Sequence, residues 1–372
     1  MKNLVGLIKS GQNTQHYQSL LNTRPDYMLP FGARYRLIDT TLSNFHEHGI
    51  TKVLLHGGSK IRSTLDHVGN GAHWEMDKRE NGLVITTPSL EEIESNNRRM
   101  LSYYESLTFF DEEDIEDIYI ANPMVISRVD ITSAYQKFKE ENYDAMFLYR
   151  VQEDLTGRYL NARKIIFDSD GNVENIGINL GTENIIPLFM DHIFIKKEVF
   201  MRIVKNTVEK DSARYLSQAI MNHKNELNIG SFEVKSHVEY IRDLQSFYIA
   251  NLNLLNEGIY ADLFLLGSGI LTKNKDEPST LYKEGNRVSN SILANGSIIE
   301  GEVNDSVLFR QVKIGKNAIV KNSIIFQGAI IEDGAIVVNS IVDKNAVVKQ
   351  NVFVQGTRNN PYVVPKNKVL EK

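Results

Sequence analysis

The segment NAIVKNSIIFQGAIIEDGAIVVNSIVDKNAVV, residues 317–348, repeats a turn residue, a small residue and two branched apolar residues. The unit recurs about every six residues, with slips to five, and earlier copies begin at Asn290, Gly296 and Asp305. Branched pairs separated by Gly and Asn favour strands and tight turns. Repeats this short stack as a parallel β-helix, in which each coil buries apolar residues against the next. We therefore predict a left-handed β-helix of hexapeptide-like repeats over 286–372, with a series of β-hairpins as the alternative.

Upstream of the repeats, short apolar runs alternate with helical patterns. Such alternation predicts an α/β domain whose mainly parallel sheet is covered on both faces. Residues 1–260 are assigned to this domain, and the Gly- and Pro-containing stretch 261–285 to a linker. The predicted strands are Leu4–Ile8, Lys52–Leu55, Leu83–Thr86, Ile118–Ala121, Ala145–Tyr149, Lys164–Phe167 and Ile193–Ile195, and the predicted helices are Leu37–His48, Asp130–Glu140, Glu198–Val208 and Ala213–Asn225.

Composition excludes several classes of protein. The 372 residues include no cysteine, which rules out disulfides and cysteine-ligated zinc and fits a cytoplasmic protein. No segment is apolar enough to span a membrane. The net charge of −5 argues against a general nucleic-acid binder. Residues 1–64 nevertheless carry eight Lys and Arg against three acids, a local excess that could attract phosphorylated small molecules or could be a solvated basic face.

Several sequence motifs narrow the choice of family for the α/β domain. The segment PFGARYRLID, residues 30–39, is followed by LSN at 42–44, and HVGNGAHWEMD spans 67–77. These segments resemble the motifs P-F-G-G-x-Y-R-I-I-D, L-S-N and H-I-G-x-G-x-x-W-D-L-D of the ADP-glucose pyrophosphorylase family. The weaker matches are YIRD at 240–243, ILTK at 270–273, VLF at 307–309 and VKIG at 312–315. The resemblance implies a Rossmann-like nucleotidyltransferase (GT-A-like) domain with a mainly parallel mixed sheet, followed by the left-handed parallel β-helix.

The family transfers an adenylyl group from ATP to glucose 1-phosphate, and this resemblance implies three parts of a catalytic site. The first is a Gly-rich loop, L-A-G-G-x-G-T-R-L, whose backbone N–H groups hold phosphates. The corresponding stretch here is LIKSGQNTQHY, residues 7–17, where Gly11 is the remaining glycine. Arg24 precedes a proline where the family has Lys-Pro, with two extra residues before the PFG segment.

The other two parts are a pair of magnesium carboxylates and a lysine that holds the sugar phosphate. Asn122 stands where the family has the aspartate of G-D-H, and Tyr215 stands at the aspartate of D-F-G-K-D. Asp211, which opens that second motif, is interpreted as a helix N-terminal residue. The family lysine of E-K-P has no counterpart in Glu174–Asn179, so Asn179 counts with Gly11, Asn122 and Tyr215 as a degenerate catalytic position. An amide and a phenol do not neutralise Mg²⁺.

Scaffold motifs are kept while chemistry motifs are lost, which is the pattern of the GlgD-type regulatory subunit of this family. The resemblance therefore implies a regulatory, catalytically inactive subunit with no cofactor. Its expected partner is a catalytic GlgC-type subunit in a homo- or hetero-tetramer, with a phosphorylated sugar as effector. The candidate phosphate contacts are Arg24, Arg34 and Arg36, although Arg36 could instead brace the helix start with Asp39. The candidate pocket residues are Asp39, Ser43, Asn44, His67, Trp74, Asp77, Arg242 and Asp243.

Three alternatives remain open from sequence. An active nucleotidyltransferase with rearranged magnesium ligands would need another acid near the sheet edge, and Asp191 beside His192 is the candidate. An acyltransferase of the β-helix type would use a histidine base in the repeats, but all nine His precede Ala261. A scaffold without any ligand is the third alternative.

Overall fold

The computed structural model describes residues 3–9, 14–58, 60–78, 82–89, 98–111 and 114–371, so Gly11 lies outside the described residues. Contacts divide the chain into two compact units. Unit 1 comprises Met1–Gly11, Thr41–Ser59 and Asn70–Val238, and unit 2 comprises Gln12–Thr40, Lys60–Gly69 and Glu239–Lys372. The segment boundaries at 260 and 285 stay a prediction.

Unit 1 contains a mixed sheet that, within the described residues, has nine strands in the order β10-β9-β11-β6-β1-β4-β5, with β8 between β11 and β12. Strands β4, β1 and β6 run parallel at its centre, whereas β11 is antiparallel to β6, β8 and β9. The strands are β1 (Leu4–Ile8), β4 (Val53–His56), β5 (Leu83–Thr86), β6 (Asp117–Ala121), β8 (Ala145–Glu153), β9 (Arg163–Phe167), β10 (Val173–Ile178), β11 (Ile185–Lys196) and β12 (Ile229–Glu233). A short strand β7 covers Val125–Ile126.

Helices cover this sheet and bury its apolar residues. Every residue of β1 is buried, as a central strand with apolar neighbours on both faces requires. Phe200 and Ile203 of the longest of these helices belong to the core that β1, β6 and β11 share. The helices of unit 1 are α3 (Arg98–Glu105), α4 (Ile131–Glu140), α5 (Lys197–Lys210) and α6 (Leu216–Met221), with 3-10 turns at Ala72–Trp74 and Leu107–Phe110. Helix α1 (Leu37–Glu47) begins in unit 2 and ends in unit 1.

Unit 2 contains the predicted β-helix, whose three sheets consist of parallel strands. This all-parallel pairing of hexapeptide-like repeats is that of a left-handed β-helix. The first sheet is β14 (Leu281–Tyr282), β17 (Ile298–Ile299), β20 (Lys313–Ile314), β23 (Ile330–Ile331), β26 (Val347–Val348) and β29 (Val369–Leu370). The second is β15 (Arg287–Ser289), β18 (Glu302–Asn304), β21 (Ile319–Lys321), β24 (Ile336–Val338) and β27 (Phe353–Gln355). The third is β16 (Ile292–Leu293), β19 (Val307–Leu308), β22 (Ile324–Ile325), β25 (Ser340–Val342) and β28 (Tyr362–Val364).

A complete coil over most of the repeats takes 17 residues, as in the pairing of Ile319 with Ile336. Three repeats fill one coil, so two spacings of six and one of five add up to its length. This length explains the slips in the sequence pattern. The corner residues Asn322 and Asn339 have φ of 46° and 47°, a left-handed conformation that Asn tolerates better than most residues. Buried serines follow them, and the backbone N–H of Ser340 donates to Oγ of Ser323 at 3.2 Å.

The rest of unit 2 consists of helices and a hairpin. The helices are α2 (Arg62–His67), α7 (Leu244–Asn253) and α8 (Glu257–Tyr260), followed by a π-helical turn at Ala261–Leu265. Short 3-10 segments cover Thr14–Leu21 and Asp26–Met28, strands β2 (Pro30–Phe31) and β3 (Tyr35–Arg36) pair antiparallel, and β13 covers Glu239–Tyr240. Helix α7 packs on the β-helix, since Phe247 lies edge-on to Phe326 with ring centroids 6.3 Å apart. None of the helices in the described ranges is long and apolar enough to cross a membrane.

Candidate functional site

A basic pocket in unit 2 brings together all three arginines predicted as phosphate contacts. Arg34 and Arg36 come from the β2–β3 hairpin, and Arg24 from the segment before it. Seven cationic side chains line this pocket together with His67 and several apolar residues. The lining is Arg24, Pro30, Ala33, Arg34, Tyr35, Arg36, His67, Lys273, Lys275, Phe309, Arg310, Phe326, Gln327 and Lys344.

Arg24 lies deep in the wall of the pocket, where it is only 5% exposed. Its Nη2 donates to both carboxylate oxygens of Asp343, at 2.8 and 3.1 Å. Its guanidinium also lies over the ring of Phe326, 5.9 Å from the ring centroid. Its Nη1 is buried and has no hydrogen-bond partner among the described residues. An unpaired buried donor costs about 1–3 kcal/mol, so this atom is suited to an anionic ligand.

The contacts of Asp39 show which part of Arg36 braces the start of α1 and which part is available to a phosphate. One oxygen of its carboxylate accepts the backbone N–H of Arg36 at 3.0 Å, and the other is 2.7 Å from Nε2 of His67. The Arg36 guanidinium instead donates from Nη1 to the carbonyl of Met28 at 3.0 Å. Asp39 thus braces the start of α1 through the backbone of Arg36, and the guanidinium remains at the pocket wall.

The β-helix contributes cations that the sequence motifs did not indicate. Arg310, Gln327 and Lys344 stand 17 residues apart, which is one coil, and therefore occupy one position on successive coils. The neighbouring position carries Phe309, Phe326 and Asp343 in the same way. The spacing of Arg310 and Lys344 by two whole coils is the signal in the sequence that indicates this row. Lys273 and Lys275, which lie in the stretch assigned to the linker, complete the wall.

The cationic side chains of the pocket lie close to one another, and burial together with their mutual repulsion lowers the pKa values of several of them. Burial, followed by repulsion from Arg24, lowers the pKa of Arg36 to about 10. Burial and then repulsion from Arg310 lower the pKa of Lys275, and burial with repulsion from Arg36 lowers that of Lys344. For Arg310, burial lowers the pKa, while Glu277 at 3.5 Å opposes the shift. A bound anion would relieve this repulsion.

Size limits what the pocket can hold. Its cavity volume is about 50 Å³, which is room for a few water molecules. One phosphate group matches this space, and the rest of a ligand would extend through the open mouth of the pocket. Arginines in such a wall bind phosphate oxygens with directed, charge-assisted hydrogen bonds. The arrangement therefore suits the phosphate end of a small molecule.

In unit 1, the described degenerate positions Asn122 and Asn179 directly follow β6 and β10, and Tyr215 directly precedes α6. Asn122 directly follows β6, and its Oδ1 accepts the backbone N–H of Met124 at 3.0 Å. The backbone carbonyl of Asn122 is 3.4 Å from Nε2 of His192, whose Nδ1 shares a 2.7 Å hydrogen bond with the hydroxyl of Tyr119. Burial lowers the pKa of His192 to about 4, so this imidazole is neutral near pH 7. These contacts form a buried hydrogen-bond network.

Asp191 sits at an irregularity in β11 with φ of 58° and forms an ion pair with Arg163. The Arg163 guanidinium lies 4.5 Å from the ring centroid of Tyr215 and donates to Oγ of Ser217 at 3.0 Å. Among the described residues, no group of three or more His, Asp or Glu could hold a metal ion. With an amide, a phenol and an arginine-paired carboxylate at these positions, the residues do not fit the Mg²⁺ that the family resemblance implies.

Asn179 braces a loop. It is fully buried, and its Nδ2 donates to Asp154 and to the carbonyl of Tyr159, both at 3.0 Å. Its Oδ1 accepts the N–H of Gly181. Asp211 was interpreted as a helix N-terminal residue, but it caps the C-terminal end of α5 with φ of 45°. A left-handed C-cap ends a helix, so this interpretation of Asp211 is wrong.

The remaining pocket candidates have structural contacts. Asn44 donates to the carbonyl of Ser127 at 2.7 Å, and Ser43 and Trp74 are buried. Asp243 caps the N-terminus of α7 in a capping box with Ser246. Arg242 lies over Tyr240 at 5.8 Å from the ring centroid, and Asp77 is exposed. Asp39 and His67 of unit 2 are hydrogen-bonded to each other, while Ser43, Asn44, Trp74 and Asp77 belong to unit 1.

Comparison with known proteins agrees with the resemblance. Residues 279–359 match a family model described as "GlmU-like, C-terminal hexapeptide". The chain is 29% identical to the glycogen biosynthesis protein GlgD of Geobacillus stearothermophilus over 98% of this chain and 97% of that protein. It is 26% identical to GlgD of Bacillus subtilis over 86% of this chain and 82% of that protein. A glucose-1-phosphate adenylyltransferase of Mycoplasma mobile is 26% identical over 86% of this chain and 85% of its own.

Proposed function

We propose that this chain is a non-catalytic regulatory subunit that acts on a glucose-1-phosphate adenylyltransferase subunit in glycogen synthesis, in the cytoplasm. Its homologues carry both names over most of the chain. The single observation that carries the proposal is a contrast between two sites. The pocket of seven cations is complete, whereas the positions for metal chemistry hold Asn122, Tyr215 and an arginine-paired Asp191.

The loss of chemistry should be severe. Adenylyl transfer depends on positioning and on neutralising phosphate charge, and each lost donor costs about 10²–10³ in rate. Such effects do not add simply, yet removing the metal ligands leaves the phosphates of ATP without their main counter-charge. A partner subunit with intact carboxylates would have to supply catalysis.

Regulation needs a ligand that favours one state of the assembly. A phosphorylated sugar in the basic pocket of this chain would do so if the pocket differs between states of the mixed tetramer. A coupling of about 1–3 kcal/mol would change the partner's affinity or activator response by roughly 5–150-fold. The pocket of this chain is then an effector site that acts on a neighbour's reaction.

The test is to purify the chain alone, a glucose-1-phosphate adenylyltransferase from the same cell alone, and the two co-expressed. ATP, Mg²⁺ and glucose 1-phosphate are supplied, and the formation of ADP-glucose is followed with and without hexose phosphates. We expect no turnover from the chain alone and altered activator response in the mixed complex. Turnover near 1 s⁻¹ from the chain alone, within the usual range for enzymes, would support an active nucleotidyltransferase instead.

A mixed complex that matches the catalytic subunit in turnover, substrate affinity and activator response would leave only a scaffold role. Size-exclusion chromatography of the same samples establishes whether the complex forms. Failure to form any complex would remove the proposed partner.

A further inference from the structure

Arg24 has two terminal amino groups with different surroundings. Nη2 is committed to Asp343, while the buried Nη1 lacks a hydrogen-bond partner among the described residues and belongs to a side chain that lines the basic pocket. A buried guanidinium is rarely left with an unpaired donor. One half of this group is therefore anchored, and the other half is available.

The anchor itself is held firmly. Asp343 is 1% exposed, and its backbone N–H donates to the carbonyl of Val364 at 2.9 Å. Its Oδ1 also accepts the backbone N–H of Lys344 at 2.6 Å. The carboxylate is thus fixed at a corner of a coil, and the guanidinium carbon of Arg24 lies over the ring of Phe326, 5.9 Å from its centroid. These contacts together set the direction of Nη1.

We propose that Asp343 is a positioning residue that orients Arg24 so that Nη1 donates to an oxygen of a phosphate monoester in the basic pocket. This inference rests on the proposed function, since it concerns the ligand of the same pocket. Asp343 does not touch the ligand. It acts through Arg24, and a planar guanidinium is needed because it can hold a carboxylate on one side and a phosphate on the other.

The two possible roles of Asp343, as a negative charge near the pocket and as the residue that orients Arg24, predict opposite changes in anion affinity for the substitution Asp343→Asn. Asp343→Asn removes a negative charge from the pocket wall, so Coulomb attraction alone predicts tighter anion binding. If Asp343 positions Arg24, the same change frees the guanidinium to turn and weakens binding. The sign of the effect therefore decides between the two.

The experiment is calorimetric titration of the full-length chain with inorganic phosphate and then with a hexose phosphate. We expect D343N to weaken both affinities at least tenfold, equivalent to about 1.4 kcal/mol. Asp276→Asn is the matched control, because this exposed residue carries the same charge and directly follows the pocket residue Lys275, but does not itself line the pocket. It should change affinity less than twofold. Affinity in D343N that equals or exceeds that of the natural chain overturns the inference.

Arg24→Lys provides a second variant in case D343N does not fold. Lysine keeps the charge and the pairing with Asp343 but has one ammonium group and cannot face both ways. We expect the same tenfold loss, and unchanged affinity would exclude the Nη1 contact. In the R24K background, D343N should cause no further loss. If the natural chain binds neither probe, the proposed effector site fails together with this inference, whereas binding that survives both variants removes the inference alone.

Discussion

Asp39 illustrates how one buried carboxylate can organise a site without binding a ligand. It accepts the backbone N–H of Arg36 and pairs with His67, which fixes both the start of α1 and one wall of the pocket. The guanidinium of Arg36 is directed to the carbonyl of Met28 and the pocket. The alternative that Arg36 merely braces the helix therefore applies to its backbone and not to its charge.

Replacing Arg36 with alanine should weaken phosphate binding while leaving the fold and assembly intact. A hydrogen bond to a charged group contributes about 1.5–3 kcal/mol, so we expect a loss of at least tenfold in affinity. Titration calorimetry measures the loss, and melting temperature checks the fold. Arg62→Ala is the control, since that side chain is 95% exposed. Equal affinities in both variants would remove Arg36 from the binding site.

His192 should make unit 1 sensitive to acid. Its pKa is about 4 in the folded chain, against 6.5 for an ordinary histidine, because it is buried. Between these values the unfolded chain binds the proton and the folded chain does not. Stability is therefore full above about 6.5 and falls as pH drops towards 4, by up to about 3 kcal/mol from this residue.

Urea titrations across that pH range would measure the effect of His192. In His192→Gln, the free energy of unfolding should depend less steeply on pH, because about one proton fewer is taken up on unfolding. His56, whose pKa burial lowers to about 3, adds a second contribution that the variant retains. An unchanged slope in His192→Gln would show that the acid response arises elsewhere.

At the scale of elements, the coil of the β-helix depends on its buried serines as much as on its branched residues. Ser323 donates from its N–H to Oγ of Ser306 at 3.0 Å, and its own Oγ accepts the N–H of Ser340. Its hydroxyl proton is donated to the carbonyl of Lys321 at 2.7 Å. This ladder satisfies backbone groups at a corner where strand pairing cannot.

Ser323→Ala should therefore destabilise the β-helix although it adds no bulk. It leaves the buried backbone N–H of Ser340 without its acceptor, at a cost of about 1–3 kcal/mol, whereas the carbonyl of Lys321 still accepts the N–H of Asn339. Ser289→Ala, at an exposed serine whose hydroxyl bonds Asn304, is the control and should stay within about 0.5 kcal/mol. Denaturant unfolding followed by circular dichroism compares the two. Equal stabilities would mean that the ladder is not a stabilising element.

The elements that the sequence predicted best are those defined by local patterns. Strands β1 and β5 were predicted with the bounds that the structure has, because a short apolar run between polar turns is read from neighbouring residues alone. The antiparallel pairing of β11 with β6 was not indicated, since strand direction depends on connections that the pattern does not encode. Asp211 was misplaced because a left-handed cap and a helix start favour the same residue type.

At the scale of the whole molecule, a net charge of −5 coexists with a pocket of seven cations. The sequence indicated three of these seven cations, Arg24, Arg34 and Arg36. It missed Arg310 and Lys344 because they approach the arginines only after two distant segments have folded into unit 2. A binding site that is built from remote segments has no signature within any one stretch of sequence. Only the part of the site that lies in a single motif, such as the segment PFGARYR, can be recognised from sequence.

Phosphate should stabilise the intact chain against heat. A ligand that binds only the folded state at 100 times its dissociation constant adds about 2.7 kcal/mol. Differential scanning fluorimetry in phosphate and in chloride of equal ionic strength would show a higher melting temperature in phosphate. The gain should shrink as pH rises towards 10, because the cations whose pKa values are lowered lose their protons. A melting temperature that is identical in both salts contradicts an anion site.

The bond between Arg24 and Asp343 joins residues that are 319 positions apart in the chain. A ribosome adds about 5–20 residues per second, so Asp343 is synthesised roughly 15–60 s after Arg24. During that interval the basic N-terminal segment has no internal counter-charge at this point. The pocket is thus among the last features to form. A growing chain can bind phosphate in it only after the coil that contains Asp343 and Lys344 has been synthesised.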